Sequence, residues 1–260
     1  MSKAFSRKDL KHQDEFLTGA THLAQWFIQR RKSIGLILLI VIAAVSVLLG
    51  MRSYRLRQEQ DAAAMLAVAL RIYNSPVVPE TEGSIAVAEA DEHGTGGHTH
   101  YPSLETKLEA SVAALEPIVQ EHPARPSGRM AAFYLGNALA NLGQSDAAIV
   151  ALEQAAKSSA PMLEAMARLR LGHLYVDLER YEYAVAAFRP LTENPPEGFP
   201  VEEALASKAR AHEAAGDPQS AMLAYQRIVE DHPTSIYATV ARTHAQELAA
   251  SLGVDLDIES

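Results

Sequence analysis

Polar and apolar residues alternate in three different ways along this chain. From Ser33 to Met51, "SIGLILLIVIAAVSVLLGM" runs for nineteen residues without a charge. Coiled as a helix it would be about 28 Å long, close to the hydrocarbon thickness of a bilayer. A buried core helix of that length carries a polar face, and this segment has none. A cleavable signal peptide would have a shorter charged leader, a shorter apolar stretch and a small-x-small site after it. The pattern predicts an uncleaved transmembrane helix. Upstream, "DEFLTGATHLAQWFIQRRKS" puts Phe16, Leu17, Ala20, Leu23, Ala24, Phe27 and Ile28 on one helical face. With Trp26 and the basic residues Arg30, Arg31 and Lys32 beside the span, it reads as an interfacial helix or as a disordered leader ending in a short pre-anchor helix.

Downstream, "RQEQDAAAMLAVALRIYN" keeps helical periodicity to about Asn74. Pro, Gly and acidic residues then interrupt it in "SPVVPETEGSIAVAEADEHGTGGHTHYPS", which predicts a mobile loop. The period resumes at Leu104 and lasts nearly to the C-terminus. The expected fold class is all-α: a single N-terminal transmembrane helix followed by helical hairpins and a C-terminal capping helix. The expected organisation is a basic leader at 1–32, the span at 33–51, a helix continuing out of the membrane at 52–74, and an acidic, His-containing flexible loop at 75–102. Repeats and capping helix follow at 103–250, and a tail at 251–260.

The hairpins repeat. Gly136, Gly172 and Ala209 recur in the first helix of successive units, and Ala148, Ala184 and Ala221 recur in the second. Both series advance by 36 and then 37 residues. Large residues recur as Leu152, Phe188 and Tyr225, and Pro196 and Pro233 close the second and third units. A small residue on each facing helix lets the two backbones approach, and the large residues are expected to fill the seam towards the next hairpin. From Arg129 to Ser235 this pattern resembles the tetratricopeptide repeat, a helix–turn–helix unit of about 34 residues. It departs from that signature where Ala132, Arg168 and Leu205 stand at the Trp position and Lys208 at a usual Leu. "LEASVAALEPIVQEHP" reads as the second helix of an earlier unit whose first helix is Asp61 to Tyr73, and "SIYATVARTHAQELAASLG" as the terminal capping helix.

Composition narrows the function. A net charge of −9 with no basic face argues against a nucleic-acid partner. The chain has no Cys, which excludes disulfides, thiolate sites and a lipidated Cys anchor. No phosphate-cradling Gly loop, H-E-x-x-H or nucleophile elbow is present, so the chain reads as a non-enzyme with no cofactor and no small-molecule substrate. His93, His98 and His100, near Asp91 and Glu92, offer weak metal binding at most, because a Gly-rich acidic loop supplies no fixed ligand geometry.

A binding surface is expected along the first helices of the hairpins. On this register the positions facing the concave groove are Phe133, Asn137 and Ala140, then Leu169, His173 and Val176, then Arg210 and Glu213. Asn137 and Arg210 would hydrogen-bond an extended chain, and Phe133 and Leu169 would add apolar contact. Asn137 stands where carboxylate-gripping tetratricopeptide domains carry an Asn, but His173 and Arg210 occupy the corresponding positions, so that two-Asn clamp is incomplete.

The full order, a basic leader, one span, a helix leaving the membrane and degenerate repeats, resembles the bacterial ancillary SecYEG translocon subunit family of the YfgM type. That resemblance implies an inner-membrane, single-pass protein with a cytoplasmic N-terminus and a periplasmic repeat domain. Its implied partners are translocon subunits, periplasmic chaperones or extended exported chains. The whole leader is richer in Lys and Arg than the segment after the span, which agrees with that orientation, although the nearest fifteen residues on each side carry three basic residues apiece. The terminal "AYQRIVEDHPTSIYATVARTHAQEL" is also similar to repeats of envelope-assembly lipoproteins. A structural scaffold for envelope, outer-membrane or division-complex assembly is therefore the alternative function.

Overall fold

The structure is a computed structural model that describes residues 7–78 and 100–256, with side chains described at Leu36 and from Leu39 onward. The loop between these ranges and the side chains of the leader lie outside the described residues. Contacts divide the chain into two units, Met1–Arg57 and Gln58–Ser260.

In the first unit the described residues form one helix, the N-terminal part of α1 (Arg7–Tyr73). Its described apolar side chains are exposed, among them Leu39, Ile40, Ile42, Val45 and Leu48. The helical stretch Leu39–Tyr73 is long and apolar enough to cross a membrane, and none of its most apolar window is buried.

The second unit begins with the last turns of α1, where the pattern changes. Ala62, Leu66 and Ala69 are buried at three- and four-residue intervals, the stripe of a helix that packs on one side only. Among the described residues eight helices follow: α2 (Leu104–Glu121), α3 (Pro126–Asn141), α4 (Ser145–Ala155), α5 (Pro161–Asp177), α6 (Tyr181–Glu193), α7 (Val201–Ala214), α8 (Pro218–Asp231) and α9 (Ala238–Leu252). The only other regular backbone pairing among the described residues is a parallel bridge between Val77 and Tyr101. There the Val78 N–H donates to the Tyr101 carbonyl at 2.9 Å and the Tyr101 N–H to the Pro76 carbonyl at 3.3 Å.

The helix starts are written locally. Pro126, Pro161 and Pro218 open α3, α5 and α8, where a missing N–H has no intrahelical partner to lose. Ser103 and Thr106 form a reciprocal capping box on α2, and the Asp217 carboxylate accepts the Ser220 N–H at 3.1 Å. Helix α3 has no side-chain cap of its own. Glu59 supplies one from α1, accepting the Ser127 N–H at 3.0 Å and its hydroxyl at 2.6 Å, while Arg125 donates to Gln58 beside it.

Each helix from α2 to α9 packs on the next in sequence, and the first helix α5 also touches the first helices α3 and α7 on either side. Nearest-neighbour packing of paired helices is the organisation of a solenoid. The turn inside each hairpin needs a left-handed residue. Gly143 and Gly216 provide it at φ 75° and 76°, and at the matching place between α5 and α6 Glu179 adopts φ 58°.

The small residues lie at the crossings. A Cβ added to Gly136 would lie 2.5 Å from Leu152 Cγ and 3.2 Å from the Ala148 carbonyl, and one on Gly172 would lie 2.3 Å from the Phe188 ring. These distances refine the expectation for the bulky series. Leu152 and Phe188 sit on the glycine of their own hairpin, so they close the pair before they face any neighbour. Ala209 is fully buried and shares a core with Tyr225. One core runs from Leu66 and Ala69 through Leu115, Leu152 and Phe188 to Ala204 and Ala211. A second joins Leu205, Ala209, Tyr225 and Ile228 to Ala241 and Ala245 of the capping helix. The two cores meet at α7, which presents a face to each.

Candidate partner-binding surface

The predicted residues fall on three successive first helices: Phe133 and Asn137 on α3, Leu169 and His173 on α5, Arg210 and Glu213 on α7. Five are half-buried and Arg210 is exposed. Most of their polar atoms are already engaged within the protein. Asn137 Nδ2 donates to the Phe133 carbonyl at 3.0 Å. The Phe133 ring meets Tyr134 edge-on at 5.5 Å, and Tyr134 meets Tyr73 in the same way at 5.1 Å. Leu169 packs against the large core.

Ser207 on α7 links the second and third helices of the row. His173 Nε2 lies 3.0 Å from the Ser207 hydroxyl, and an Arg210 terminal nitrogen donates to the same oxygen at 3.3 Å. Burial holds the His173 imidazole below the ordinary histidine range, and the Arg210 and Arg170 guanidinium groups act in the same direction against Glu203 and Asp177. The site therefore favours a neutral His173. Glu213 accepts the Tyr225 hydroxyl at 2.7 Å and lies 3.6 Å from His244 Nδ1. The His244 ring stacks on Tyr225 with centroids 5.0 Å apart. Burial pushes the Tyr225 phenol up, and the hydrogen bond and charge of Glu213 add to the effect.

Beside Arg210 a cavity of about 320 Å³ opens between α7 and α9, with Tyr225 of α8 contributing to its wall. Ala206, Arg210, Ile236, Val240 and His244 line it, and the exposed wall is mostly apolar. Sequence reasoning missed this cavity and its lining outside Arg210. The signal was nevertheless present: stepping by the repeat length, Phe133 and Leu169 are followed by Ala206, so a large side chain gives way to a methyl group at this place.

His93 and His98 lie outside the described residues, and His100 is exposed next to the Val77–Tyr101 bridge. Among the described residues no three His, Cys, Asp or Glu side chains converge to hold a metal. The arrangement offers apolar side chains, hydrogen-bond donors and one exposed guanidinium along paired helices, which suits recognition of another chain.

The family comparison agrees with the helical pairing. The family description "Tetratricopeptide repeat-like domain" matches residues 24–250. No curated protein matches the chain. Among solved structures, a tetratricopeptide repeat protein from Parabacteroides merdae is 18% identical with a TM-score of 0.47, the match covering 57% of this chain and 56% of that one. The present chain thus spans a little over half the length of that protein. The MamA RS-1 ArsTM double mutant is 19% identical with a TM-score of 0.42, covering 57% of this chain and 88% of that one.

Proposed function

Because the chain belongs to the tetratricopeptide repeat-like domain family, we propose that it is a membrane-tethered adaptor that binds protein partners at the bacterial cell envelope. The helix around residues 33–51 anchors it in the inner membrane with the N-terminus in the cytoplasm, and the repeats stand in the periplasm. There they serve the secretory translocon, linking its subunits to periplasmic chaperones or holding extended exported chains. Stacked hairpins bind proteins along the faces of their first helices, and a tether raises the local concentration of such a surface near other membrane complexes.

The observation that carries this reading is the coexistence in one chain of an exposed, charge-free apolar helix and a row of mixed apolar and polar first-helix positions. Phe133, Leu169 and Ala206 make up the apolar part of the row, and Asn137, His173 and Arg210 the polar part. Site-specific crosslinking from Asn137 and Arg210 in intact membranes tests it. Translocon subunits, chaperones or exported chains are the expected products. Recovery of none of them, or of outer-membrane or cell-wall assembly factors instead, would overturn the secretory assignment. Protease accessibility of the repeats in spheroplasts, with the domain expected to be cut, checks the orientation.

A further inference from the structure

The geometry points to the cavity between α7 and α9 as a socket for one large apolar side chain, of Leu or Phe size, on an extended protein segment that carries an Asp or Glu beside it. This rests on the adaptor reading above and specifies the chemistry of the partner.

The repeat register shows what the cavity lacks. At the equivalent positions of the two preceding units stand Leu169 and Phe133, each packed against the large core, where Ala206 brings only a methyl group. The connection after each hairpin differs in the same sense. Phe199, which follows α6, is tucked into the core with 7% of its surface exposed. Its counterpart 37 residues on, Ile236, is 87% exposed at the cavity rim. The backbone differs at the same place. Gly198, at φ +77°, precedes the inward-packed Phe199. Ser235 stands in that place after α8, and it is not among the residues with positive φ. The small Ala206 and the outward Ile236 both border the cavity. Its volume of about 320 Å³ is at the lower end of the range for ligand pockets and on the scale of one or two side chains.

Charge selects the neighbour of the anchor. At the equivalent first-helix positions Asn137 bonds its own helix and His173 bonds Ser207. Arg210 is exposed and makes one long bond to Ser207, so most of its five donors face outward at the cavity edge. The nearby Glu213 is held by Tyr225 and His244. A guanidinium beside an apolar hollow favours a carboxylate next to the inserted side chain.

The test uses the full chain in lipid nanodiscs and a labelled Gly–Ser peptide of about twelve residues with blocked ends and one central Phe–Glu pair. Binding is read by fluorescence anisotropy. The Phe–Glu peptide is expected to bind at least tenfold more tightly than its Ala–Glu form and several-fold more tightly than its Phe–Lys form. Ala206→Leu, which restores the side chain of the preceding unit, should weaken the Phe–Glu peptide at least tenfold while leaving the melting temperature equal or higher. Ile236→Ser, at an exposed position with little bearing on folding, should weaken it several-fold, and Arg210→Glu should reverse the preference between Glu and Lys. No measurable binding of the Phe–Glu peptide, equal affinity for the Ala–Glu form, or indifference to both Ala206→Leu and Ile236→Ser would overturn the socket. Loss of self-association in Ala206→Leu would overturn it in favour of a second copy. If crosslinking from Asn137 captures translocon subunits while the peptides fail, only the socket falls. If the peptides succeed while the crosslinks capture none of the secretory partners, the socket stands without the translocon.

Discussion

The hairpin α5–α6 and the hairpin α7–α8 come from the same repeat, yet one closes on its neighbour and the other leaves a gap. In the first, Gly172 admits the Phe188 ring to a distance no Cβ would tolerate, Leu169 packs on the core, and Phe199 seals the junction with α7. In the second, Ala209 holds the crossing, Ala206 stands where Leu169 did, and Ile236 turns outward. Tyr225 replaces Phe188 and brings a hydroxyl that needs a partner, which Glu213 supplies. The middle of the stack is closed by packing, whereas its C-terminal end combines a smaller apolar core with polar bonds beside a hollow. Solenoids distribute stability among neighbouring units, so the two ends of one domain can differ in how they combine rigidity with binding.

Substitutions that exchange the character of the two hairpins test this contrast. Phe188→Ala removes a fully buried ring and should cost about 3–5 kcal/mol in a denaturant titration. Tyr225→Ala should cost clearly less, because the space it leaves merges with a hollow already open to water; equal losses would break the distinction. Gly172→Ala forces a methyl group into the Phe188 ring and should cost about 1–3 kcal/mol, whereas Ala209→Gly at the matching place should lose only about 0.5–1 kcal/mol. Gly198→Ala places a side chain at φ +77° and should cost about 1–2 kcal/mol, with Phe199 becoming accessible to solvent.

Relief of strain should appear as a gain. Glu179→Gly gives the middle turn the residue used by the other two, and chemical unfolding should show about 0.5 kcal/mol of added stability after the extra freedom of the unfolded chain is subtracted. The smallest effect concerns pH. Burial lowers the pKa of His173 from the model-compound value of 6.5, so the unfolded chain takes up a proton first as the solution is acidified. Stability is then full above about pH 6.5 and declines as pH falls towards the folded value. His173→Gln should make the acid limb shallower without abolishing it, because His212 is lowered by burial in the same direction.

Much of this arrangement could be read from residue spacing. Gly136, Gly172 and Ala209 recur with their alanine partners at one interval, and that interval defines the crossings because only small residues allow such approach. The capping helix was legible from the alanines of "YATVARTHAQELAAS", three of which, Ala241, Ala245 and Ala249, are buried at four-residue steps. Spacing does not report where a side chain points. Leu152 and Phe188 are expected from spacing to fill the seam towards the following hairpin, and they lie on the glycine of their own, where the missing Cβ leaves room for them. Asn137 was expected to reach for a partner, yet its amide has a carbonyl one turn back within reach. The cavity was the hardest to foresee. Phe199 and Ile236 are both apolar and both follow a Pro by three residues, yet one is buried after a Gly at positive φ and the other is exposed after Ser235.

The isolated bridge between Val77 and Tyr101 has a consequence for how this protein can change over time. Two backbone hydrogen bonds tie together the points where the intervening sequence leaves and re-enters the helical pair. With its ends already joined, an insertion there raises the entropy of closure only as the logarithm of its length, and the register of the helices on either side is untouched. The spot is a natural graft site, where selection or an experimenter can splice in new recognition elements while the rest of the domain folds as before.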